Sequence, residues 1–201
     1  MLPVCELGVL QQADGSATCE YGTSSVLCAI YGPCGVRANK ELQDRAVLDV
    51  TVQCANGRHS NDVAYIKEIV TCVCEKSLCI TAHPHTAISI AVMIRKMDQY
   101  HLTCVLTACC MAMLDAGLPM ASTFAAVAID PTTLTDQEIS GEVVYVLECK
   151  NKQLLSSHCT ATVTENQFLQ GLTLAQDRLP EIDDIYRTTM IKKLSCLQKN
   201  T

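Results

Sequence analysis

The stretch Glu6 to Pro33, ELGVLQQADGSATCEYGTSSVLCAIYGP, carries two turn signals and two strand patterns in succession. Ala13-Asp14-Gly15-Ser16 reads as a tight turn, because Asp and Ser bond to nearby backbone. Ala17 to Tyr21 reads as a strand, Gly22-Thr23-Ser24 as a second turn, and Ser25 to Tyr31 as the returning strand. Gly32-Pro33 is expected to stop it. A β-hairpin therefore sits near the start of the chain.

Outward from that hairpin the pattern alternates between periods. Ala46 to Val52 alternates Val47, Leu48, Val50 and Val52, as a strand does. Residues 62–80 repeat at three and four, with Val63, Ile66, Val70, Val73, Ser77 and Ile80 on one helical face. Thr86 to Met93 is rich in Ile and Val and reads as a strand. About 103–115 is apolar nearly all round, which predicts a helix buried at the centre of the fold. It should stop at Gly117, with Pro119 blocking continuation. Strands are expected at about 122–129, 142–149 and 153–161, the last two joined by Cys149 to Lys152. Two helices should follow, one capped by Thr164 and carrying Phe168, Leu169, Leu172 and Ala175, the other marked by Ile182, Ile185, Tyr186 and Leu194. Pro180 should separate them. The expectation is a single α+β domain over residues 1–201, with mixed sheets and about four helices.

Composition narrows the function. The chain has 201 residues, 49% hydrophobic and 18% charged, enough for a packed core and too apolar for disorder. No apolar run approaches the roughly 20 residues of a membrane span. The opening MLPVCELG has no basic flank or long apolar stretch of a secretory leader, so a soluble intracellular protein is expected. Lys and Arg number 15 against 21 Asp and Glu, a net charge of −6. Nucleic acid would have to meet a local basic patch, because the whole chain is acidic.

The 14 cysteines lie mostly among apolar or small neighbours and read as reduced core thiols. Cys72, Cys74, Cys79, His83 and His85 fall within a short span that suggests a metal. On a helix, however, Cys72 and Cys74 point nearly opposite ways, and no C-x-x-C pair is present. No metal or cofactor is expected from these residues.

The Glu6–Pro33 segment resembles the opening of the RNase PH family, in which an acidic residue, a Gly-x-Leu, ADGSA and a hairpin ending in Gly-Pro follow in the same order. HPHTAISI (His83 to Ile90), TACCMAMLDAGLPM (Thr107 to Met120) and DPTTLTDQE (Asp130 to Glu138) are also similar to it, and to its ring subunits in the eukaryotic RNA exosome in particular. The resemblance implies βαβ units assembled as one of six RNase PH-like subunits in a ring. Active relatives shorten RNA from its 3′ end, with inorganic phosphate as the attacking group.

Carried over residue by residue, the resemblance implies a lost phosphate site. Active members hold phosphate with a GGTR-T segment at the start of the buried helix. This chain reads Gln99-Tyr100-His101-Leu102-Thr103, with Leu102 at the Arg position and neither glycine present. A second phosphate-side Arg matches Thr71. The catalytic carboxylates, in an L-D-L-D-Y-x-E-D pattern, align to Ala128 and Leu134, with Asp130 at the middle Asp. Asp130 and Asp136 nevertheless keep the six-residue spacing of the catalytic pair, so a two-residue slip would restore them. Their bland reading is an Asp-Pro turn and a solvated loop acid.

For RNA contact the family's pore loops point to Arg37, Lys40 and Arg58, with His59, Arg95 and Lys96 as further candidates; solvated surface cations are the bland alternative. The favoured expectation is a non-catalytic ring subunit supporting 3′-to-5′ RNA processing, in nucleus, nucleolus and cytoplasm. Its partners would be other RNase PH-like exosome subunits in a hexameric ring, and RNA, with no membrane. The alternative is a homodimer acting outside the ring, binding DNA or a separate nuclease during apoptotic DNA degradation. Asp130, Asp136, Glu138 and Glu142 would then be its metal-binding oxygens.

Overall fold

The computed structural model describes residues 2–36, 41–55, 57, 61–130 and 141–199. Five strands form one sheet: β1 (Val4–Leu7), β2 (Gly15–Tyr21), β3 (Ser24–Gly35), β4 (Val47–Cys54) and β5 (Thr86–Lys96), in spatial order β1-β2-β3-β5-β4. Helix α1 (Asn61–Ser77) links β4 to β5, which pair in parallel, so these three elements form a βαβ unit. All other neighbours in both sheets are antiparallel. Helix α2 (His101–Ala116) leads into a second sheet of β6 (Phe124–Ile129), β7 (Val143–Glu148) and β8 (Leu154–Cys159). Helix α3 (Glu165–Lys199) closes the chain.

α2 is the hub. Every residue from Leu102 to Met113 is buried, because β2 and β3 cover one side of the helix and β6 covers another. The α+β class and the central apolar helix are as the pattern predicts. The helix ends as expected: Gly117 adopts φ 66°, its N–H reaches the Leu114 carbonyl, and Leu118 N–H reaches Met113. A left-handed residue that returns two amides to the last turn needs glycine.

Three expectations are corrected. The two C-terminal helices are one, running through Pro180. Ala175, Leu179, Ile182 and Tyr186 form a single buried stripe across the proline, and packing of that stripe outweighs the lost backbone bond. α1 ends at Ser77 rather than 80, because Leu78 bridges to Met120 and the Cys79 N–H is drawn to the Pro119 carbonyl. β3 passes through Gly32-Pro33 to Gly35 instead of stopping there. Pro33 sits where the register with β5 shifts, between Tyr31 and Cys34, so no ladder bond is asked of it. The short edge strand β1 has no counterpart in the sequence reading. None of the described helices is long and apolar enough to cross a membrane.

Candidate functional site at the start of the buried helix

The opening hairpin is a structural node. A side-chain carbon on Gly15 would lie 2.4 Å from the Ala112 carbonyl and the Ala116 nitrogen of α2, so only glycine lets β2 reach the helix. The next amide, Ser16 N–H, donates to Asp115 Oδ2 at 3.0 Å, and Lys193 of α3 pairs with the other oxygen of that nearly buried carboxylate. Asp14 accepts from Gly32 N–H at 2.7 Å. The ADGSA turn, the Gly-Pro end of the hairpin and the LDAG end of α2 are therefore bound to one another.

The chemistry lies at the opposite end of α2. Asp98 accepts from the Thr23 hydroxyl and the Gln99 amide, which hold it below the ordinary carboxylate range. Gln99 Nε2 and the Tyr100 hydroxyl then both donate to Asp130, at 3.1 and 2.8 Å, just past the end of β6. Tyr100 packs edge-on against Tyr21 of the hairpin, ring centroids 5.3 Å apart. Its phenol is pushed up to about 12, chiefly because its proton is bonded to Asp130. Leu102 faces the core and is 5% exposed.

Glu142 completes the cluster. The residue is 6% exposed, and among the described residues no group hydrogen-bonds its Oε2. Burial, and next the Asp130 charge, push its carboxyl up to about 7. Its backbone is pinned by Thr160, whose Oγ1 accepts from the Glu142 N–H at 2.9 Å. Burial also raises Tyr21, with Arg178 of α3 as the opposing cation. Two carboxyls and a phenol thus crowd the helix start, a place where backbone amides commonly receive phosphate. An oxyanion entering here would meet negative charge and a filled volume.

Other expected site residues fall elsewhere. Arg95 and Lys96 are exposed at the end of β5. Arg37, Lys40, Arg58, His59, Leu134, Asp136 and Glu138 lie outside the described residues. Ala128 is buried within β6, and Thr71 spends its hydroxyl on the Lys67 carbonyl of its own helix at 2.8 Å, so neither offers a group to a phosphate. Cys72 is exposed while Cys74 is buried, and His85 bonds Glu41 at 2.6 Å, so those residues do not converge. Among the described residues no group of three metal-ligating side chains comes together. Sequence reading passed over Tyr21, Gln99 and Arg178 as members of the site; the polar Gln99 directly before the helix is the signal that could have found one of them.

Two sheets pack around a buried helix, and the ADGSA turn is locked to that helix. A family model described as the 3′ exoribonuclease family, domain 1, matches residues 3–119. The chain belongs to this RNase PH family. It is 28% identical over 204 residues to the exosome complex component RRP46 homolog of Caenorhabditis elegans, covering 95% of this chain and 94% of the relative. It is 32% identical over 191 residues to the exosome complex component Rrp41 of Thermococcus kodakarensis, covering 85% and 76%. Among solved structures it is similar in fold to rice Rrp46, with TM-score 0.83 at 23% identity and 93% of each chain covered. An archaeal exosome core subunit follows at TM-score 0.72 and 12% identity, over 92% and 86% of the two chains.

Proposed function

We propose that this chain is a non-catalytic subunit of an RNA exosome ring, built with other RNase PH-like subunits into a hexamer that supports 3′-to-5′ RNA processing. The observation that carries this reading is the blocked helix start: Tyr100, Asp130 and Glu142 stand where family members that use phosphate would bind it, and Leu102 replaces the arginine. Relatives named as exosome components along nearly the whole chain supply the assembly. Phosphorolysis needs an anion site steadied by positive charge, and here, among the described residues, the carboxyls of Asp130 and Glu142 outnumber the one cation placed beside them, Arg178. RNA would touch the subunit through exposed cations such as Arg95 and Lys96, with Arg37, Lys40 and Arg58 as further contacts. Residence in nucleus, nucleolus and cytoplasm goes with that role.

A second reading draws on the same carboxyl pair. Asp130 beside a buried Glu142 could serve, with Asp136, as oxygen ligands of a divalent ion in a homodimeric DNA-binding nuclease or nuclease partner. Asp130 is already engaged by Tyr100 and Gln99, which favours the first reading. The test is capture of the tagged chain from cell extract with identification of what accompanies it. Stoichiometric recovery with other RNase PH-like subunits supports the ring. Recovery alone, or with an unrelated nuclease, overturns it and moves the weight to the second reading.

A further inference from the structure

β1 and β2 run antiparallel with Cys5 directly opposite Cys19. One step beyond that ladder the Gly8 N–H donates to the Ser16 carbonyl at 2.9 Å. Gly8 and Ser16 are therefore a hydrogen-bonded pair. Alternation then makes Leu7 and Ala17 unbonded, Glu6 and Thr18 bonded, and Cys5 and Cys19 unbonded. Unbonded pairs bring side chains closest, with Cα atoms about 4.5 Å apart. A disulfide can span that separation.

The two thiols differ in access. Cys19 is fully buried, and the Cys104 thiol of α2 donates to its carbonyl at 3.0 Å. Cys5 is half-buried and lines an open groove of about 310 Å³ between β1 and α3, together with Val4, Ile185, Thr188 and Lys192. Hydrogen bonding from the Cys19 thiol holds the Cys5 thiol below its ordinary range. Hydrogen bonding with Cys104 and Cys5, and burial, push Cys19 up. Access and thiolate character fall on the same sulfur, which is what selective oxidation requires. Cys28 and Cys109 are the contrast: their sulfurs lie 3.8 Å apart, but both residues are fully buried and this groove does not reach them.

We propose that Cys5 is an oxidant-sensing modification site, with hydrogen peroxide as its reactant and Cys19 as its resolving thiol. The Cys5 thiolate attacks one peroxide oxygen, the O–O bond breaks, and the leaving hydroxide takes a proton to become water. Sulfur is oxidised to the sulfenic acid and the peroxide is reduced. The Cys19 sulfur then attacks the sulfenic sulfur. The S–O bond breaks, the Cys19 proton leaves with the hydroxyl as a second water, and the S–S bond closes. The product ties the edge strand to β2 beneath α3.

The full chain should be treated with hydrogen peroxide, its free thiols blocked, and its peptides mapped by mass spectrometry. The expected first product is a linked Cys5–Cys19 peptide, lost again on reduction with dithiothreitol, while Cys28 and Cys109 stay free. In Cys19→Ala the sulfenic acid has no resolving partner, so dimedone should label Cys5. The wild-type map stands on its own if that variant folds poorly. Oxidation of exposed Cys34, Cys72, Cys159 or Cys196 ahead of Cys5 would overturn the assignment. So would oxidation of Cys5 that never yields the Cys19 link.

Discussion

Glu142 shows how a single buried carboxyl sets a pH response. In the unfolded chain a Glu titrates near 4.5, whereas the folded site raises it to about 7. The folded chain thus holds the extra proton between those values, and its stability falls as pH rises from about 4.5 to about 7, then levels. Glu142→Gln removes the charge and keeps the shape. It should flatten that window and raise stability above about pH 7 by roughly 1–2 kcal/mol, read by chemical denaturation across pH. Gly15→Ala acts in the other direction, driving a methyl into the α2 backbone at 2.4 Å. A loss of about 3 kcal/mol or more is expected in the same assay. Gly15 was readable in sequence as a turn residue, but its contact with Ala112 and Ala116 was not, because nothing local says which helix lies against the turn. The sequence offered Leu102 as a residue at a cation's place; the Tyr100–Asp130–Glu142 cluster beside it could not be read, since those three residues meet only through β6 and β7.

At the scale of elements, periodicity served best where an element is buried on one clear face. α2 and the hairpin strands follow their patterns closely, ending at Gly117 and turning after Tyr21. Pro180 misled because a local rule for helix breaking competes with a long buried stripe, and the stripe wins. Since the proline sits in a helix it weakens, Pro180→Ala should restore a backbone bond. After allowing for the freer unfolded chain, a gain of about 1–2 kcal/mol is expected, seen as a higher Tm with unchanged helix content. A drop in Tm would mean that the residue shapes α3 in a way the folded chain depends on. β1 escaped the sequence reading because four residues at a sheet edge carry too little pattern; Cys5 and Leu7 pack against the core while Val4 stays exposed.

For the whole molecule, the fold is that of the RNase PH family, and the hub that binds its two sheets together is intact. Gly15, Asp115 and Gly117 act here in folding, and none of them belongs to the cluster at the start of α2. Architecture and chemistry are thus carried by opposite ends of one helix. On the proposed function, association with sister subunits would draw on the fold and phosphorolysis on the helix start, so the two can be tested apart. The direct measurement is phosphate-dependent release of nucleoside diphosphates from RNA, made with the purified chain and with its copurifying complex, each compared with the Asp130→Asn, Glu142→Gln double variant. No release by the chain alone is expected, and the same release from both complexes whatever its rate. Phosphate-dependent release that disappears in the double variant would contradict the proposed function.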